Sequence, residues 1–254
     1  KARLMKTKII PLDSEHNAIF QILQNENRCS VKNIILTASG GPFLKMNKKN
    51  FENITVEDAL KHPNWKMGKN ISINSSNLMN KIFEIIEAKK IFDLPYIKFD
   101  IIIHPQSLIH GMIKYKNGLM KLLYHTPNMA IPLSNAIFNN KILISDLGIK
   151  DKISDLKNLE FSKPKPNQFP SIGILQHLSK NLYSTPIIIN GANEILVELF
   201  LQKKIKYNQI TQCLFALLKD KKYKKYAIQV PKNLNDIIKI DKWSREFVKS
   251  RYGV

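Results

Sequence analysis

The sequence is short of several residues whose presence would define its class. Among 254 residues there are two cysteines, Cys29 and Cys213, far apart and outside any CxxC spacing. That excludes a disulfide framework and a cysteine zinc site, and it points to a reducing compartment. Arginine is scarce, limited to Arg3, Arg28, Arg245 and Arg251. Apolar stretches such as Ile101 to Ile103 and Pro186 to Ile189 are far too short to span a bilayer, and no signal peptide precedes the first motif. Acidic residues are few as well. The count is 20 Asp plus Glu against 40 Lys plus Arg, a net charge of +20. Such an excess suits nucleic acid, an anionic membrane or an anionic small molecule. It is nearly all lysine, however, and comes with abundant Ile and Asn, whose codons are rich in A and T. A biased genome and a basic solvated surface account for it equally well. Only charge that converges on a site is informative.

What is present is a globular chain, 44% apolar and 9% aromatic. Lys8 to Leu12 (KIIPL) and Asn33 to Thr37 (NIILT) read as short buried strands, each running into a polar or glycine cluster. Ser14 to Asn25 can form a helix between them. Ser75 to Phe92 has the clearest helical stripe, from Leu78, Ile82, Ile85 and Ile86, with Asn74 or Ser75 as its cap. Lys98 to His104, Gly111 to Lys116 and Gly118 to Tyr124 read as three further strands. The expected class is α+β or α/β, a central sheet with flanking helices followed by a C-terminal helical bundle. The expected organisation is a catalytic domain over 1–138, a proline-bearing connection over 139–170 and a bundle over 171–254. Its helices are expected at Ser171 to Lys180, Ala192 to Lys203, Tyr207 to Lys219 and Asn233 to Arg251.

Four groups of residues are candidates for chemistry. Asp13 and Glu15 in DSEHN stand at the end of an apolar run, where open α/β sheets bind ligands, and two carboxylates suit a hard divalent cation. A solvated turn would look the same. Ser39 in ASGGP follows a strand, and its hydroxyl and the glycine amides can donate to phosphate; a plain tight turn is the alternative. Ser75, Asn80 and Lys81 could hold an anion if a helix starts at Ser75, with Glu84 on the same face as a third oxygen ligand. The competing reading is the wet side of a surface helix. Trp65 and Met67 lie in PNWKMG, a segment bounded by Pro and Gly that suits a lid, unless Trp65 is core. His62, His104 and His110 could be phosphate donors, bases or satisfied core histidines.

These motifs occur in order. DSEHNAIFQ (13 to 21), SGGPF (39 to 43), HPNWKMG (62 to 68), SSNLMNKIFE (75 to 84), HPQSLIH (104 to 110), TPNM (126 to 129) and NGANE (190 to 194) resemble the 1-deoxy-D-xylulose 5-phosphate reductoisomerase family through essentially the whole chain. The resemblance implies conversion of 1-deoxy-D-xylulose 5-phosphate to 2-C-methyl-D-erythritol 4-phosphate in non-mevalonate isoprenoid synthesis, by rearrangement of the carbon skeleton followed by hydride transfer. It implies NADPH and Mg²⁺, Mn²⁺ or Co²⁺ as cofactors, a homodimer, and a cytoplasmic or plastid-type location without membrane or specific nucleic-acid partners.

Carried over by motif, Asp13, Glu15 and Glu84 are the metal ligands. Ser14, Glu15, Ser39, His62, Ser75, Asn80, Lys81 and Glu84 meet the phosphosugar, Ser39, Ser75, Asn80 and Lys81 gripping its phosphate. Gly68 meets the nicotinamide cofactor. Glu15, Trp65, Met67 and His110 serve catalysis, Trp65 and Met67 as a flap, and Met129 lines the pocket with His110. Three residues depart from the pattern: Asn74 and Asn128 stand where Asp is expected, and Gly191 where Ala is expected. No glycine fingerprint of a Rossmann-type NADPH domain occurs, and Lys1 falls where such a domain should be ending. A fragment that alone reduces nothing is therefore expected. A nicotinamide-free, metal-dependent phosphosugar isomerase or aldolase and a basic nucleic-acid-binding protein are the alternatives.

Overall fold

A computed structural model describes residues 2, 4–63, 65, 67–149, 158–178 and 182–253. The chain forms two compact units, each built from two separate stretches: residues 1–39 with 87–163, and residues 40–86 with 164–254. The division expected at 139–170 does not coincide with them, because 40–86 packs with the closing helices. Residues 150–157 of that connection lie outside the described residues.

The first unit is built on a four-stranded mixed sheet in the order β2, β1, β3, β4. Strand β1 (Val31–Ala38) pairs in parallel with β2 (Phe99–Ile103) and antiparallel with β3 (Ile109–Tyr115), which continues antiparallel to β4 (Met120–Tyr124). Ile34, Leu36 and Ala38 alternate inward along β1 and are buried, as period-two patterning requires. Helix α1 (Ser14–Leu23) lies on β3. Its approach depends on Gly111, where an added Cβ would meet Ile19 Cδ1 at 2.7 Å. Helix α5 (Ala130–Phe138) was not legible from the sequence, since Pro132 reads as a breaker. In the first helical turn, however, the missing proline N–H would have had no intrahelical partner. Strand β4 is an edge, and Met120 and Leu122 on it are 47% and 50% exposed.

Residues 8–12 form no strand. Ile9 and Leu12 are 63% and 47% exposed, so the run KIIPL, of which only Pro11 is buried, has no pairing partner. The Pro11 carbonyl instead accepts a hydrogen bond from Asn17 Nδ2 at 2.9 Å.

In the second unit, α2 (Val56–Ala59) opens with a capping box between Thr55 and Asp58. Helix α3 (Lys69–Ser76) follows, and then α4 (Met79–Phe92), one continuous helix that crosses from this unit into the first at Glu87. The single helix expected from Ser75 to Phe92 is thus two. They meet at Leu78, whose φ is 62°. Asn77 Oδ1 accepts from the Met79 amide at 2.9 Å and caps the restart.

Helices α6 (Thr185–Leu201), α7 (Tyr207–Leu218), α8 (Tyr223–Ala227) and α9 (Leu234–Tyr252) complete the unit. The helix expected at Ser171 to Lys180 is a 3-10 stretch, Pro170–His177; Ser179 and Lys180 lie outside the described residues. Phe43 and Phe200 pack edge-on to Tyr207, with centroids 5.2 and 5.6 Å away. Burial holds the Tyr207 phenol well above its usual range, and its oxygen shares a hydrogen bond with Ser76 Oγ at 2.9 Å. Among the described residues no helix is long and apolar enough to cross a membrane.

Candidate functional site

Helix α1 starts at a carboxylate. Asp13 Oδ1 accepts from the Glu15 and His16 amides, each at 3.1 Å, satisfying two of the donors left over at a helix start. The cap fixes Glu15 in the first turn, where Ser14 Oγ donates to its Oε2. His16 beneath is buried, its Nδ1 lying 3.5 Å from Asp13 and 3.8 Å from Glu87. Glu87 belongs to α4, and Glu84 stands one turn earlier on the same face of that helix. Asp13, Glu15 and Glu84 each offer one carboxylate oxygen, and these atoms lie within 4.8 Å of one another. Three hard oxygen donors at this spacing fit Mg²⁺ or Mn²⁺ and suit a soft metal poorly.

The first turn of α4 carries Asn80 and Lys81. Lys81 Nζ donates to both oxygens of Glu84, at 2.7 and 2.8 Å, and Asn80 Nδ2 donates to Glu84 Oε1. The Lys81 and Glu84 side chains are only 8% and 5% exposed. Burial first, and the Lys81 charge second, push the His62 imidazole below its usual range. His62 Nδ1 accepts from the Trp65 amide at 3.0 Å, which leaves the ring proton on Nε2.

Ser75 is not at a helix start. It lies in the last turn of α3, where carbonyls rather than amides are left over, so the expectation that the dipole favours an anion there fails. The helix start in this region is that of α4, whose first turn carries Asn80 and Lys81. Ser75 instead adjoins the glycine loop after Ser39: a Cβ on Gly41, whose φ is 62°, would stand 3.0 Å from Ser76 Cα and 3.2 Å from the Ser75 carbonyl. Glycine is required there twice, by backbone angle and by contact.

Trp65 and Met67 are half-buried, and their neighbours Asn64 and Lys66 lie outside the described residues. Gly68 precedes α3, and a Cβ on it would meet nothing within 4 Å, so packing does not demand glycine there.

His110 on β3 donates from Nε2 to the His125 carbonyl at 3.0 Å, and the two imidazoles stack with centroids 3.6 Å apart. His125 was not singled out from the sequence, although pairing the second and third predicted strands of the sheet's second half brings the residue after β4 back beside β3. Burial pushes the His125 ring below its usual range, with the Glu15 charge a lesser, opposing influence. His104 is structural. Its Nδ1–H donates to the Glu160 carbonyl at 2.9 Å and its Nε2 accepts from the Leu108 amide at 3.1 Å. A second missed residue is Asn193 in NGANE, 2% exposed, which donates from Nδ2 to Asn74 Oδ1 at 2.9 Å.

Two domain families match the chain: the 1-deoxy-D-xylulose 5-phosphate reductoisomerase C-terminal domain over residues 9–92, and the DXP reductoisomerase C-terminal domain over residues 125–247. A 1-deoxy-D-xylulose 5-phosphate reductoisomerase of Pelagibacter ubique is 46% identical over 235 residues, covering 91% of this chain and 60% of its own length. One from Desulforamulus reducens is 40% identical over 241 residues, covering 95% and 61%. A crystal structure of DOX-P reductoisomerase in complex with NADPH, fosmidomycin and magnesium superposes with a TM-score of 0.89 at 33% identity, over 98% of this chain and 66% of that one. This chain therefore spans about three fifths of the length of its curated relatives. Across nearly all of its own length, it belongs to the 1-deoxy-D-xylulose 5-phosphate reductoisomerase family.

Proposed function

We propose that the chain supplies the metal- and phosphosugar-binding part of a 1-deoxy-D-xylulose 5-phosphate reductoisomerase, an NADPH-dependent enzyme that isomerises and reduces its substrate to 2-C-methyl-D-erythritol 4-phosphate. The observation that carries this reading is the convergence of Asp13, Glu15 and Glu84, one oxygen from each within 4.8 Å of the others. A divalent cation held by these three supplies Lewis-acid stabilisation of negative charge on substrate oxygens. NADPH supplies the hydride, and the unneeded glycine at Gly68 leaves room for it to approach the backbone.

The chain's own groups do the rest. Ser14 and Glu15 orient the sugar end beside the carboxylates. Asn80 and Lys81, at the start of α4, hold the phosphate with His62, Ser39 and Ser75. The remote phosphate thereby provides binding energy that positions the reacting carbons. Trp65 and Met67 cover the bound sugar and exclude water. His110, oriented by the hydrogen bond from its Nε2 to the His125 carbonyl, serves catalysis. Turnover by these 254 residues alone is not expected, because no dinucleotide fingerprint occurs among them. The enzyme works as a homodimer, for which the exposed apolar edge at Met120 and Leu122 is suited. The two free cysteines fit a reducing, cytoplasmic or plastid-type compartment.

Calorimetric titration with Mn²⁺ tests the reading. Asp13→Asn, Glu15→Gln and Glu84→Gln should each weaken binding about tenfold or more, the loss of one charged ligand. Unchanged binding in all three variants would overturn it.

A further inference from the structure

The ion pair inside the candidate site has a consequence for how ligands enter it. Lys81 and Glu84 are both almost fully buried, and Lys81 takes both Glu84 oxygens at 2.7 and 2.8 Å while Asn80 adds a donor to one of them. A buried charge stripped of its partner is costly, so neither side chain gives up the other without a replacement. The two replacements differ in sign. A divalent cation drawing on Glu84 sets positive charge against the nearby Lys81 ammonium and repels it. A phosphate drawing on Lys81 strips Glu84 of its counter-ion.

We propose that Lys81 is an exchangeable counter-ion of Glu84, so that a divalent cation on Glu84 and a phosphate on Lys81 each raise the affinity for the other. This rests on the ligand and phosphate roles assigned above and adds an order to them: the cation releases the lysine that grips the phosphate. The coupling is reciprocal by linkage. His62 does not compete as a second cation, since burial and the Lys81 charge both favour its neutral ring.

The test is Mn²⁺ titration of the 254-residue chain, followed by calorimetry and by the paramagnetic signal of free Mn²⁺, with and without saturating inorganic phosphate. Phosphate should tighten Mn²⁺ binding roughly tenfold, within the range usual for coupled sites. Complexation of Mn²⁺ by phosphate in solution lowers the apparent affinity in the calorimeter and is subtracted from the paramagnetic signal with a protein-free phosphate blank. In Lys81→Met, Mn²⁺ should bind at least as tightly without phosphate as in the unaltered chain, and phosphate should change nothing. Lys81→Arg, which keeps the buried charge and so the fold, should retain the dependence. Mn²⁺ affinity indifferent to phosphate in the unaltered chain, or still phosphate-dependent in Lys81→Met, overturns the coupling alone. Mn²⁺ binding unaffected by Glu84→Gln overturns the ligand assignment and the coupling with it.

Discussion

Gly191 on α6 faces Asp241 on α9 so closely that a Cβ on the glycine would collide with Asp241 Oδ1 and Ser244 Oγ. The two helices make extensive contact. Asp241 has little freedom to yield, because its Oδ2 accepts from Arg245 Nε at 2.6 Å and Arg245 also pairs with Glu194 on α6. The family resemblance led us to expect alanine at 191. Here the glycine is matched to what α9 presents.

Gly191→Ala should therefore destabilise the chain by about 1 to 3 kcal/mol, the usual cost of overpacking a close contact. Thermal denaturation followed by circular dichroism reads it. An unchanged midpoint would show that Asp241 moves aside freely.

Asn74 is the second departure, and its partner explains what can stand there. Asn193 Nδ2 donates to Asn74 Oδ1, so the position needs an acceptor rather than an amide. Asn74→Asp keeps the acceptor and should be tolerated. Asn74→Ala leaves a buried donor unpaired at a cost of about 1 to 3 kcal/mol. Equal losses in the two variants would mean that the amide of Asn74 matters through another contact.

The histidines make stability fall in acid. Burial lowers the pKa of His104, and both of its ring nitrogens are satisfied in the neutral form. The unfolded chain therefore binds the proton more readily than the folded one. That contribution is present above the unfolded pKa of about 6.5 and is lost as the pH falls through the folded value. His104→Gln, which titrates nothing, should flatten the decline of melting temperature between about pH 7 and 5 while lowering the plateau above it. A parallel decline in both proteins would place the acid sensitivity elsewhere.

Legibility in the sequence followed the range of the interactions. The strands at Val31–Ala38, Phe99–Ile103, Ile109–Tyr115 and Met120–Tyr124 are where apolar and alternating runs placed them, because that pattern is local even though the partners of β1 lie far along the chain. Residues 8–12 have the same composition but no partner strand, which alternation cannot report. Asp13, Glu15 and Glu84 were readable as one group only through the order of the motifs, since each alone reads equally well as a carboxylate in a solvated turn or on a wet helix face. That Lys81 donates to both oxygens of Glu84 was not, since spacing alone allows the lysine to face away. His125 beside His110 and Asn193 beside Asn74 depend on register and on contacts over 119 positions, respectively.

The break at Leu78 is the clearest case of tertiary structure overriding local pattern, and it can be tested by magnitude. Leu78 has φ of 62°, in the left-handed region, which costs an L-residue with a bulky side chain about 1 to 2 kcal/mol. It is nevertheless 2% exposed, and losing a buried leucine side chain costs about 2 to 5 kcal/mol once the cavity is included. Leu78→Gly removes both the strain and the packing, so the second effect should win and the variant should be less stable by about 1 to 3 kcal/mol. Leu78→Ala keeps the strain and loses the packing, and should be worse than glycine by about 1 kcal/mol. The ordering unaltered, then glycine, then alanine, measured by denaturant unfolding, is the signature of a strained residue held by its burial. Alanine more stable than glycine would mean that the segment relaxes into the single continuous helix that its periodicity describes.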